Sequence, residues 1–122
     1  MAEKIKKILI AEDEKPLSNA LQLKLTKAGF KTEAAFNGQE ALAMLNQQDF
    51  DFLILDLVMP KINGFEVLTE IKKSGKKIKI IVLSNLAQAE DQKRVKDLGA
   101  QDYFVKSNTP IGDIVKKIKE SV

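Results

Sequence analysis

The chain has 122 residues, the length of one ordinary domain and too short for two separate cores. It contains no Cys and no His, which excludes disulfides, thiol redox chemistry, cysteine zinc sites and the usual serine or cysteine triads. Net charge is +3 from 20 basic residues, all Lys except Arg94, against 17 acids; with Arg so scarce the lysines read as solvated surface, and no direct nucleic-acid partner is expected.

Met1 to Lys7 is charged and lacks a small-residue cleavage site, so it does not read as a signal peptide. No apolar run approaches the roughly 20 residues that span a bilayer, and no membrane contact is expected. The first apolar run, Ile8-Leu9-Ile10-Ala11, predicts a strand. Leu17, Ala20, Leu21, Leu25 and Ala28 then recur at helical spacing, entered by Pro16 and stopped by Gly29. Thr32 to Phe36 predicts the second strand, and Ala41 to Leu45 a short helix after Asn37-Gly38. Phe52-Leu53-Ile54-Leu55 predicts the third strand, followed by a helix through Val67, Leu68 and Ile71 that Asn63 can cap. Ile80 to Leu83 predicts the fourth. The helix after it, from about Ala87 to Leu98 and closed by Gly99, is polar along most of its length. Its clear apolar anchors are Leu86, Val95 and Leu98, so it should be among the least firmly held elements. Tyr103-Phe104-Val105 predicts the last strand. Ile111, Ile114, Val115, Ile118 and Val122 form the last helical stripe, with Thr109 as N-cap and Pro110 at the first helical position. Most strand runs are continuous rather than alternating, as in strands covered on both faces. Strict alternation over five units predicts an α/β fold, a mostly parallel sheet with helices on both faces, and residues 1–122 read as a single domain.

Four of the five strands end in a chemically capable side chain. Glu12 and Asp13 follow the first, Asp56 the third, Ser84 the fourth and Lys106 the fifth. In an open parallel sheet those ends share one edge, and ligands bind in the crevice there. Three carboxylates packed together repel unless a cation joins them. A hard divalent ion suits the set: Mg²⁺ takes one or two carboxylates, waters and a phosphate oxygen, whereas Ca²⁺ would call for more protein oxygens. With the metal and Lys106 neutralising its oxygens, a phosphoryl group could be accepted by Asp56 as nucleophile, and Ser84 could donate its hydroxyl to it.

The stretches ILIAEDE (8–14), LILDLVMPKING (53–64), IIVLS (80–84) and GAQDYFVK (99–106) resemble the receiver domain of bacterial two-component response regulators, across essentially the whole chain. The resemblance implies a flavodoxin-like, doubly wound (βα)5 fold with strand order 2-1-3-4-5. It implies that Glu12, Asp13 and Asp56 bind Mg²⁺, together with the main-chain carbonyl of Val58. Asp56 would accept a phosphoryl group from a histidine kinase or histidine phosphotransfer protein, with Lys106 and Ser84 assisting. Ser84 and Tyr103 would form a switch pair, read by an output partner at the face made by helix 87–98, strand 103–105 and helix 110–122. A cytoplasmic signalling domain is implied, one that catalyses only its own phosphorylation and dephosphorylation.

Three positions depart from the family pattern. Ser107 follows Lys106 where Pro is common, so the turn into the last helix should be built differently. Asn85 stands after Ser84 where a small residue is usual, and its side chain should narrow access to the phosphoryl group or hydrogen-bond near it. Asn63 replaces a frequent Asp and keeps its capping role. Rival chemistries fit less well. A haloacid-dehalogenase-type phosphatase needs a second Asp at position 58, which is Val58 here. A flavodoxin-like FMN binder needs a Ser/Thr/Gly-rich phosphate loop after the first strand, where the acids stand. Walker-type and dinucleotide glycine patterns are missing. A degenerate receiver that only binds partners is the remaining alternative, and the intact set of site residues speaks against it.

Overall fold

The computed structural model describes residues 5–86 and 88–121. Five strands, β1 (Lys7–Ala11), β2 (Lys31–Ala35), β3 (Phe52–Leu55), β4 (Lys79–Ser84) and β5 (Asp102–Val105), alternate with α1 (Lys15–Lys27), α2 (Gly38–Gln47), α3 (Gly64–Ser74), α4 (Ala89–Asp97) and α5 (Ile111–Ser121). All four strand pairings are parallel, and the order is β2-β1-β3-β4-β5, as the resemblance implied.

Why the central strands carry unbroken apolar runs, at 8–11, 52–55 and 80–83, is visible in where their side chains go. Leu9, Ala11, Leu53, Leu55, Ile80 and Val82 pack with residues of α2, α3 and α4 on one face. Their neighbours Ile8, Ile10, Phe52, Ile54, Ile81 and Leu83 pack with Leu21 and Leu25 of α1 and Ile114 and Ile118 of α5 on the other. Successive residues of a strand point to opposite faces, so a sheet covered on both sides demands a continuous run. The outermost strands are less enclosed: β5 is half-buried throughout, and β2 is fully buried only at Ala35.

Local chemistry sets the element ends. Asn37 accepts the N–H of Glu40 at 2.8 Å, and the Glu40 carboxylate accepts the N–H of Phe36 at 2.8 Å. That reciprocal cap ends β2 at Ala35, one residue short of the Phe36 that sequence places in it. At the start of α3 the capping box is complete, because Glu66 accepts the N–H of the N-cap Asn63 itself while Asn63 accepts the N–H of Glu66. Gly29 and Gly99, both at positive φ, follow α1 and α4 as expected.

Two helix starts differ from expectation. α5 begins at Ile111, one residue after Pro110, and the Pro110 carbonyl accepts the Asp113 N–H at 3.0 Å. The three residues from Lys106 to Asn108 form a 3-10 turn first, which delays entry into the helix. α4 begins at Ala89, after Gln88 in the N-cap position without a side-chain cap; the earlier start at Ala87, like Val122 in the last stripe, lies outside the described residues. α4 buries only Val95 fully, with Leu86 and Leu98 packed partly against the core, which agrees with its weak apolar anchoring.

Candidate functional site

The strand ends meet as the topology requires. β1 stops at Ala11, β3 at Leu55, β4 at Ser84 and β5 at Val105. The main chain carries on the ladder for one more step: the Asp56 N–H donates to Ala11 O and the Glu12 N–H to Ala35 O, each at 3.0 Å. Those bonds fix where both acidic side chains leave the sheet. Close backbone approach completes the floor. A Cβ on Gly64 would lie 2.5 Å from Asp56 O and 2.7 Å from Leu57 Cα, so only glycine lets α3 start against the acidic loop. A Cβ on Gly38 would lie 1.9 Å from Ile62 O, which lets the loop between β3 and α3 rest on the start of α2.

Carboxylate oxygens of Glu12, Asp13 and Asp56 lie within 4.8 Å of one another. Glu12 is 1% exposed and Asp56 4%, while Asp13 is half-buried. Lys106 Nζ sits between two of them, 2.9 Å from Asp56 Oδ2 and 2.7 Å from Glu12 Oε1, with Glu14 Oε1 at 3.8 Å. The Asp56 contact is a directed hydrogen bond. The Glu12 contact is close and ionic, but Oε1 has no hydrogen-bond partner of good geometry and is buried. Glu12 Oε2 accepts the Glu14 N–H at 2.9 Å, and Asp56 Oδ1 accepts the Val58 N–H at 3.2 Å. The Val58 side chain itself is 59% exposed at the rim.

Electrostatically the set is short of positive charge: three carboxylates face one ammonium. Burial pushes the Glu12 carboxyl up to about 7, against the close Lys106 ammonium and the Glu14 N–H that favour its ionised form, and the nearby Asp56 adds to the rise. For Lys106, burial acts to lower the pKa, but its bonds to Glu12 and Asp56 outweigh that and raise it. A buried, under-satisfied carboxylate oxygen beside two more carboxylates is the donor chemistry of a hard divalent cation, and the residues present fit Mg²⁺.

Ser84 is fully buried at the end of β4, and its Oγ accepts the Leu86 N–H at 3.4 Å. Tyr103 packs against the core beside it and donates its hydroxyl to the Leu86 carbonyl. Burial raises the Tyr103 pKa, and Asp91 and Asp56 add to it, so the hydroxyl remains a donor. One peptide segment, at Leu86, is thus held at its N–H by Ser84 and at its carbonyl by Tyr103. Sequence reasoning placed Leu86 only as an apolar anchor and gave Glu14 no role. Leu86 contributes through its main chain, and Glu14 through its N–H as well as a longer carboxylate contact to Lys106; side-chain identity does not reveal the main-chain part.

The architecture and the carboxylate cluster at the carboxyl edge of the sheet define a CheY-like, flavodoxin-like α/β domain. The chain belongs to the response regulator receiver domain family, whose sequence pattern it matches over residues 8–119. It is 39% identical, over 84% of its length and 41% of the other's, to the probable transcriptional regulator ycf27 of Cyanidium caldarium. The chain spans less than half the length of such curated relatives. A CheY-like receiver domain protein from Methanospirillum hungatei superposes with a TM-score of 0.90 at 27% identity, covering 97% of this chain and 94% of that one. The response regulator TrrA of Thermotoga maritima, in complex with Mg²⁺ and BeF, gives 0.82 at 34% identity, covering 97% of this chain and all of that one. Among the described residues no helix is long and apolar enough to cross a membrane.

Proposed function

We propose that the domain is a phosphorylation-dependent switch in which Asp56 accepts a phosphoryl group from a phosphohistidine of a histidine kinase or phosphotransfer protein. The observation that carries this reading is a buried carboxylate with an ammonium 2.9 Å away and two further carboxylates within 4.8 Å. Mg²⁺, when bound by Glu12, Asp13 and Asp56 with the Val58 carbonyl, supplies neutralising charge for the phosphoryl oxygens. An Asp56 oxygen forms a bond to phosphorus as the P–N bond of the donor breaks, and its electron pair leaves on the imidazole nitrogen. Lys106 exchanges its contact with the Asp56 carboxylate for one with the incoming phosphoryl oxygens. Ser84 gives up the Leu86 N–H and donates its hydroxyl to the phosphoryl group.

That last movement loosens one of the two grips on Leu86, just ahead of α4, the helix with the smallest apolar anchor. Tyr103, still bonded to the Leu86 carbonyl, carries the change to β5. The face of α4, β5 and α5 is then what a cytoplasmic partner reads. Incubation with Mg²⁺ and acetyl phosphate, followed by intact mass, tests the chemistry. A metal-dependent, hydroxylamine-labile phosphoryl adduct is expected on the wild type and none on Asp56→Ala. Absence of any adduct on the wild type would overturn the reading, and steady turnover of many phosphate esters would replace it with a phosphatase. A substitution scan over Gln88 to Asp97 should change partner binding; unchanged binding throughout would remove α4 from the output face.

A further inference from the structure

Two of the departures from the family pattern, at positions 85 and 107, are bonded to each other. The ladder between β4 and β5 ends with Ser84 opposite Val105. One residue further along β4, the side-chain oxygen of Asn85 accepts the N–H of Ser107 at 3.1 Å. An amide oxygen here does what a main-chain carbonyl does inside the sheet, and extends the pairing of the two chains past the strand ends. A proline at 107 has no N–H to offer, and a small residue at 85 has no acceptor to reach it. Asn85 directly follows Ser84, and Ser107 directly follows Lys106, the two residues that would touch the phosphoryl group.

We propose that the Asn85 side chain and the Ser107 N–H form a latch that positions Lys106 on the acidic site and makes the Ser84 and Lys106 loops move together. Asn85 is a positioning residue in this account, acting through the turn at Lys106–Asn108. With the latch closed, the turn is held at its second residue, so the Lys106 ammonium stays over Asp56 and Glu12. Without it, the main chain of the turn is anchored to the sheet through β5, a half-buried edge strand, and the long Lys106 side chain is left to hold its ion pairs from a looser base. The proposal rests on Asp56 being the acceptor, but the latch itself can be examined without phosphorylation.

The test compares wild type, Asn85→Ala, Ser107→Pro and the double variant, with Ser107→Ala as a control that keeps the N–H and Asn85→Asp as one that keeps an acceptor oxygen. In metal-free wild type the Ser107 amide should exchange slowly and the Lys106 ¹⁵N ammonium signal should be sharp. Asn85→Ala should speed the first and broaden the second, and Asn85→Asp, which keeps an acceptor oxygen, should restore slow exchange. With Mg²⁺ and acetyl phosphate in excess, Asn85→Ala should slow adduct formation about three- to tenfold, the scale of one hydrogen bond. It should slow it no further in the Ser107→Pro background, while Ser107→Ala stays at the wild-type rate. Unchanged Ser107 exchange in Asn85→Ala overturns the latch. So does an equal loss from Asn85→Ala in both backgrounds, which would mean that Asn85 touches the phosphoryl group itself. A faster reaction in Asn85→Ala overturns it too, by showing a mere obstruction. If the wild type forms no adduct, the reading of Asp56 fails, and exchange and the ammonium signal still decide the latch.

Discussion

At the scale of single residues the site is governed by one buried acid too many. Glu12 is favoured in its neutral form by the fold, with its pKa at about 7 rather than the ordinary 4.5. The sign follows from linkage: the unfolded chain releases this proton near its ordinary pKa, and the folded one only near 7. Metal-free stability therefore falls as pH rises between those values. A divalent cation competes with that proton, so its stabilising effect has the opposite slope. Mg²⁺ should raise the melting temperature little at pH 5.5 and clearly more at pH 8, measured by calorimetry; an equal rise at both would contradict the assignment of Glu12. Tyr103→Phe removes the donor to the Leu86 carbonyl and should cost about 1 kcal/mol in urea unfolding, since the hydrogen bond is partly buried. Much of this constellation is legible in the sequence, because Glu12, Asp13, Asp56, Ser84 and Lys106 are polar residues at the ends of apolar runs. What was not legible is how they are held: the Leu86 peptide and the Ser107 N–H are main-chain groups, and no side-chain pattern announces them.

Among the elements, α4 is the one whose attachment is thinnest. Val95 is its one fully buried residue, while the Arg94 guanidinium sits over the Phe65 ring, 4.1 Å from its centroid, as a polar brace to α3. Val95→Ala should cost about 2 kcal/mol by lost burial and a residual cavity. Amide exchange in α4 should then rise more than in α1 or α5; a uniform rise would show that α4 does not open on its own. The start of α3 is constrained in the opposite sense. Gly64→Ala would push a methyl group against the Asp56 main chain and should cost about 1–3 kcal/mol as an overpacking change, along with weaker metal binding. Strand positions were readable because a sheet covered on both faces writes continuous apolar runs. The start of α5 was not, because Pro110 fits a first helical turn equally well from sequence. The 3-10 turn that intervenes carries Lys106, whose partners Glu12 and Asp56 lie far away along the chain.

Over the whole molecule, the sheet separates two jobs. One face, with α1 and α5, packs on Ile8, Ile10, Phe52 and Ile54, while the other carries α2, α3 and α4. The site at the carboxyl edge touches both sides, since Glu12 leads into α1, Asp56 into α3, Ser84 into α4 and Lys106 into α5. A charge change there should be felt first where anchoring is weakest, in the segments around 84–98 and 102–108, with β1 and β3 unchanged. Hydrogen exchange with and without Mg²⁺ and beryllofluoride checks this, and a change confined to β1 and β3 would contradict it. The switch stands on Asp56 as the phosphoryl acceptor. The most direct measurement is reduction of the phosphorylated protein with borohydride, which converts an acyl phosphate of aspartate into homoserine, followed by peptide sequencing by mass. Homoserine at position 56, dependent on Mg²⁺ and on the phosphodonor, is the predicted result; homoserine at Asp13 instead, or at no position, would contradict the account.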